Sequence, residues 1–202
     1  MLTNPMIAKS LGVALGRIEA LWPLYESSLD ASAPGLVTDT VRVAALATIR
    51  VECPAFAPMR EAGGPDYYRR MYWENESVRK MLGNRTEQDA LTYYGRGTVQ
   101  LTGYDNYLRC GRAIGHDLVA HPDLALDPQV SSQVFAWTFK KCIAPASALD
   151  FVRVRRLING GTNALRPFLV YIKTLAVQAA MTEVAEAANA QLEQLNAPGE
   201  TK

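Results

Sequence analysis

Cysteine and histidine are scarce in this chain of 202 residues, which has three of the first and two of the second. Cys53, Cys110 and Cys142 are odd in number, far apart and without a C-x-x-C pair, so neither a disulfide framework nor a cysteine zinc site is suggested and reduced thiols are expected. His116 and His121 lie near Asp117 and Asp123, but there is no H-E-x-x-H. A zinc amidase or peptidase therefore lacks its ligands, and no metal or other cofactor is expected. No apolar run approaches the roughly 20 residues that span a bilayer, which argues against stable membrane insertion. The start of the chain has no basic segment, continuous apolar centre or small-residue cleavage site of a signal peptide, so synthesis as a soluble cytoplasmic protein is expected. An excess of one charge is missing too: 21 Lys and Arg stand against 20 Asp and Glu. A nucleic-acid binder would show a basic surplus. The tight basic run Arg153, Arg155 and Arg156 reads as a solvated helix face more readily than as a phosphate site.

What is present is apolar: 49% of the residues are hydrophobic. That composition and this length fit one domain, with or without two lobes, that buries a real core. Thr3 or Asn4 before Pro5 starts a helix in which Ile7, Leu11, Ala14, Ile18 and Leu21 recur at helical spacing, and Pro23 is expected to stop it. Thr38 or Asp39 caps a second, Ala-rich helix that runs to Glu52 and ends before Pro54. Pro54 to Pro65, rich in proline and glycine, reads as a long loop. Helices are then expected over 66–82, 104–114, 128–140, 150–158 and 167–195, with a frayed end from Ala197 to Lys202. Strand signal is weak outside one central stretch, which predicts a mainly α fold with a small β element.

That stretch, Tyr93 to Asn106, reads Y-Y-G-R-G-T-V-Q-L-T-G-Y-D-N. Gly95 and Gly97 suit a sharp turn or a close approach by another group. Val99 and Leu101 alternate with Gln100 and Thr102, so an extended segment would present the amide and the hydroxyl on one side. Such a pair suits a neutral polyhydroxylated ligand, and an ordinary half-buried hairpin edge explains the alternation equally well.

The string Y-G-R-G-T-V-Q-L-T-G-Y-D-N-Y resembles the central motif of glycoside hydrolase family 19, the lysozyme-like chitinases and related phage endolysins. Glu52 on its Ala-rich segment, L-G-N at Leu82 to Asn84, and R-R-L-I-N-G-G-T-N at Arg155 to Asn163 fit the same family in the same order. The resemblance implies a lysozyme-like fold with a large helical lobe, a smaller lobe over about 54–92 and a substrate groove between the lobes. All of 1–202 would be one catalytic domain, without a separate cell-wall-binding module.

Hydrolysis of a glycosidic bond needs one carboxyl that gives a proton and a second that stays ionised. Glu52, at the C-terminal end of a helix with apolar neighbours, suits the first role. It also sits at the position of the family's catalytic acid. Glu61 is the first acidic residue after it, on a loop that Gly63 and Gly64 make pliable, and is expected to be the general base, with Glu74, Glu76 and Glu87 as fallbacks. The resemblance implies that Thr102 holds the attacking water and that Gln100, Asn106 and Asn159 bind sugar amide and hydroxyl groups. Tyr94 and Tyr104 offer flat surface for a pyranose face or serve as core tyrosines. Arg96 is expected to hold the turn. Family members commonly read H-E-S or H-E-T around the acid, whereas this chain has Val51-Glu52-Cys53-Pro54 and so lacks the neighbouring His.

These readings converge on a glycosidase that cuts the β-1,4-linked aminosugar backbone of bacterial peptidoglycan by inversion, as a monomeric phage endolysin. Its partner would be the glycan strand, reached from the host cytoplasm after a holin pore opens. Alternatives are a chitinase, a delivered antibacterial effector of the same chemistry, and a non-catalytic glycan-binding protein of lysozyme-like fold.

Overall fold

The computed structural model describes residues 2–196, so the expected frayed end Ala197 to Lys202 lies outside the described residues. In chain order these form α1 (Asn4–Leu11), α2 (Leu15–Ser32), α3 (Asp39–Glu52), β1 (Met59–Arg60), α4 (Pro65–Arg69), α5 (Glu76–Leu82), α6 (Glu87–Thr92), β2 (Arg96–Gly97), α7 (Tyr104–Ile114), α8 (Pro128–Phe139), α9 (Ile143–Ser147), α10 (Phe151–Asn159), α11 (Leu165–Gln178) and α12 (Thr182–Gln194). The fold is mainly helical with one small antiparallel sheet, as the sequence predicts. It divides into two compact units, one built from both ends of the chain, up to Phe56 and from Phe139 onward, and one from Ala57–Thr138.

The first unit is assembled around α3. The Thr38 side chain accepts from Val41 N and caps its start, and Asp39 lies in the first turn, where a negative charge meets the positive end of the helix. Val43 to Ala47 are all fully buried, so the helix is surrounded rather than one-sided. Its alanines let α11, α9 and α10 pack against it, and α11 in turn packs on α1 and α12. At the C-terminal end Cys53 leaves the helix at φ −133° and ψ 85°, the extended region that a following proline imposes.

Two expected helices of this unit are interrupted. Gly12, at φ 62°, closes α1, and α2 then runs through Pro23 instead of ending there. Pro23 removes a donor to the carbonyl of Glu19, and both residues are exposed, so water can satisfy that carbonyl and the helix continues. The long C-terminal helix breaks at Ala180, whose φ is 55°, and α12 folds back on α11. The break gives both helices a partner for their apolar faces.

In the second unit β1 pairs with β2 in the register Met59 to Gly97 and Arg60 to Arg96. Its core gathers Tyr93, Leu101, Tyr107, Cys110, Leu118, Ala125, Val130 and Val134. The single helix expected over 66–82 is broken into α4, a π-helical turn at Arg70–Glu74, and α5, which Asn75 caps by accepting from Val78 N at 3.2 Å. Helix α6 was not expected, although Thr86 and Asp89 carry the reciprocal capping box that starts it.

Candidate active site

The segment expected to be extended at 99–102 is a tight hairpin loop. Arg96 and Leu101 exchange backbone hydrogen bonds of 3.2 and 2.9 Å, and the chain turns between them at Gly97, φ 81°, and Gln100, φ 52°. A non-glycine residue with positive φ is strained, and here the strain is held by the side chain itself. Gln100 Nε2 donates to the carbonyls of Gly97 at 2.9 Å and Met59 at 3.1 Å, which fastens the loop across to β1. Thr102 Oγ1 donates to the Gln100 carbonyl at 2.8 Å, and Asn106 Nδ2 donates to the Thr102 carbonyl at 2.7 Å. Each of these polar side chains is half-buried and spends a donor on its own loop.

Glu61, directly after β1, is the carboxylate that this loop surrounds. Its Oε2 accepts from Gly95 N at 2.9 Å and its Oε1 from the Tyr72 hydroxyl at 2.5 Å. Its backbone N–H donates to the Gly95 carbonyl at 2.9 Å, and its carbonyl accepts from the Tyr68 hydroxyl at 2.9 Å. A Cβ at Gly95 would stand 2.7 Å from Gln100 Oε1 and 3.0 Å from Glu61 Oε2, so the missing side chain is what lets the carboxylate close on the backbone. Burial, then the bond to Glu61, push the Tyr72 hydroxyl well above the ordinary phenol range, so it remains a donor.

Behind the loop lies an ionic network. Arg96, buried as expected for a residue that holds the turn, donates to Asp123 Oδ1 at 2.8 Å and to the Thr92 and Tyr94 carbonyls, with its guanidinium 3.8 Å from the Tyr94 ring centre. Arg60 grips the same Asp123 through two bonds of 3.0 and 2.7 Å and donates to the Tyr94 hydroxyl at 2.8 Å. These bonds, with that from Arg60 the strongest, hold the Asp123 carboxyl below its usual range. Tyr94 also stacks on Tyr68, centroids 4.4 Å apart and planes 1° from parallel. Tyr104 is half-buried, edge-on to Tyr93, with Arg85 4.5 Å from its ring centre.

L-G-N has a structural function. Buried Asn84 donates from Nδ2 to the Tyr72 carbonyl at 3.1 Å and accepts at Oδ1 from Tyr104 N at 3.0 Å, which ties the π-helical turn to the start of α7. Of the fallback carboxylates, Glu76 pairs with Lys80 and Glu87 with Arg69, while Glu74 is exposed.

Glu52 belongs to the other unit, as the last residue of α3. Its Oε1 takes a charge-assisted hydrogen bond from Arg155 Nη1 on α10. The basic run read as a solvated face is therefore divided: Arg153 and Arg156 are exposed, but Arg155 is buried. Helical spacing carries the reason, because Arg155 falls on the same side of α10 as the buried Phe151. Arg155 Nε also donates to the Asn163 carbonyl at 2.7 Å, and Asn159 Nδ2 reaches that carbonyl at 3.0 Å while its Oδ1 accepts from Gly161 N at 3.0 Å. The structure thus brings Gln100, Thr102, Asn106 and Glu61 together in one unit and Glu52 with Asn159's loop in the other. Spacing along the chain does not mark Arg155 and Tyr72 as site residues, because their partners are 103 and 11 residues away.

Residues 63–156 match the family model of glycoside hydrolase family 19, described as chitinase class I. Gln100, Thr102, Asn106, Tyr72 and Arg155 fall inside the match; Glu52 and Glu61 precede it and Asn159 follows it. An endochitinase of Arabidopsis thaliana is 38% identical over 85 residues, 41% of this chain and 30% of that protein. A glycosyl hydrolase family 19 domain-containing protein of Haemophilus influenzae is 37% identical over 95 residues, 45% and 46% of the two chains. The chain spans less than half the length of the curated relatives it matches. Among solved structures, chitinase C from Streptomyces griseus superimposes with a TM-score of 0.63 at 19% identity, covering 86% of this chain and 92% of that one. A second bacterial family 19 chitinase gives 0.63 at 18%, covering 87% and 94%. These two likenesses show the fold.

Proposed function

From the match of residues 63–156 to glycoside hydrolase family 19 and the likeness of the fold to bacterial family 19 chitinases, we propose that the chain hydrolyses the β-1,4-linked backbone of an N-acetylated aminosugar polymer. The observation that carries the proposal is the Glu61 carboxylate, held at both oxygens by donors, one of them from the backbone of the family's own Y-G-R-G motif. A carboxylate aimed in this way is what a general base requires.

In the reaction we infer, Glu52 must first bind a proton in place of its ionic bond with Arg155, and it gives that proton to the glycosidic oxygen as the bond from C1 to that oxygen breaks. Glu61 takes a proton from a water whose oxygen forms the new bond to C1 on the opposite face, which inverts the anomeric configuration. Thr102 orients that water, and Gln100, Asn106, Asn159 and Tyr104 contact the sugars, whereas Tyr94, its ring covered by Tyr68 on one face and Arg96 on the other, serves as a packing tyrosine. One water is consumed, and the two carboxyls recover their starting protonation by exchange with solvent. No metal takes part in this scheme.

Bacterial peptidoglycan is the first substrate we propose, with lysis of the cell as the outcome and a phage endolysin or a delivered effector as the biological setting. Chitin is the second reading, favoured by the endochitinases among the relatives. Purified protein should be assayed on both polymers, with Glu52→Gln and Glu61→Gln beside the wild type. General acid and base assistance is worth about 10²–10⁴ in rate, so each variant should lose at least a hundredfold while staying folded. Proton NMR within the first turnovers should show fresh α-anomer. No hydrolysis of either polymer, or initial β-anomer, would refute the scheme.

A further inference from the structure

The geometry around Glu61 points to Tyr72 as a positioning residue for the general base: its hydroxyl fixes the carboxylate in the orientation that water activation needs. This rests on the functional reading above and assigns to that site a residue outside the central motif. A glutamate just past a two-residue strand has three side-chain torsions to lose, and a base that samples several rotamers is rarely aligned with its water. Here one oxygen is 2.5 Å from the Tyr72 hydroxyl and the other 2.9 Å from Gly95 N, so rotation of the carboxylate breaks both bonds at once.

The donor is itself immobilised. The Tyr72 ring lies near-parallel to Tyr68, planes 10° apart, and edge-on to Tyr67. Its carbonyl is engaged by Asn84, and it sits in a π-helical turn, a local widening that redirects a side chain relative to a regular α-helix. Tyr68, meanwhile, donates to the Glu61 carbonyl, so main chain and side chain of the base are held by two neighbouring rings. A phenol whose proton is held this firmly is not the base. It stays an O–H donor while Glu61 takes the proton from water.

Tyr72→Phe keeps the ring and deletes the hydroxyl. Misplacement of a catalytic group by about 1 Å costs on the order of a hundredfold. We therefore expect kcat to fall about ten- to a hundredfold with KM held within about twofold. In protein labelled with ¹³C at the glutamate carboxyls, the Glu61 resonance should move toward that of an exposed glutamate, and this is read without turnover. Should the Phe variant not fold, fluorinated tyrosines placed at position 72 keep the shape and strengthen the donor, and kcat should decline with each added fluorine at constant KM. Full kcat in Tyr72→Phe beside an inactive Glu61→Gln, or a flat response to fluorination, overturns the role of Tyr72 and leaves the functional reading standing. A wild type inactive on both polymers, or an active Glu61→Gln, refutes the functional reading and the role of Tyr72 with it.

Discussion

Replacing Arg155 by Met tests the least expected contact of the first unit. The long apolar stem is kept, but the guanidinium is lost, and with it the bonds to Glu52 and to the Asn163 carbonyl. Arg155's side chain is 5% exposed and that of Glu52 20%, so the remaining carboxylate stays largely out of water. Breaking a buried pair from one side costs about 3–5 kcal/mol, and the residual exposure of Glu52 places this case near the lower limit, about 3 kcal/mol. At about 2–4 °C per kcal/mol for a chain of this size, scanning calorimetry should show a fall in Tm of about 6–12 °C. Glu52→Gln alone, which leaves Arg155 without its carboxylate, should cost less because an amide oxygen still accepts a hydrogen bond. The double variant should be more stable than the sum of the two by about 1–3 kcal/mol, the coupling expected of residues in direct contact. Additivity within about 0.5 kcal/mol would show that Arg155 and Glu52 do not stabilise one another and would refute the argument.

Gly95→Ala should leave the fold intact and reduce turnover by about tenfold or more, because the added methyl meets Gln100 and Glu61 and displaces the carboxylate; wild-type kcat would contradict this. Cys110 and Cys142, whose thiols are pushed up to about 12 by burial, should resist a thiol reagent at pH 8 in native protein and react once it is unfolded. Asp123 has a lowered carboxyl pKa in the folded chain, so its contribution to stability is present above the ordinary carboxylate value near ~3.9 and is lost as pH falls through the lowered one. The Tm difference between wild type and Asp123→Asn should accordingly be full at pH 7 and shrink toward pH 2; a difference independent of pH would count against the Arg60 and Arg96 pairing.

By itself the sequence determined the helical class of the fold and most of its helices, because a helix start and an amphipathic face are local properties of about a dozen residues. Thr38 capping α3, Pro54 ending it at Glu52, and the paired glycines of the central motif are of this kind. Local signals misled where solvent or packing outweighed them: Pro23 breaks no helix because its lost bond faces water, and 99–102 turns because Gln100 finds one acceptor on β1 and one on β2. Only the tertiary structure decided which charges are buried. Arg153, Arg155 and Arg156 look alike in the chain, and one of them meets Glu52 because α10 lies against α3. Tyr72 was one of nine tyrosines until a π-helical turn set its hydroxyl on Glu61. Periodicity is written in neighbours along the chain, whereas a site depends on groups brought together by the packing of elements that carry no mark of one another.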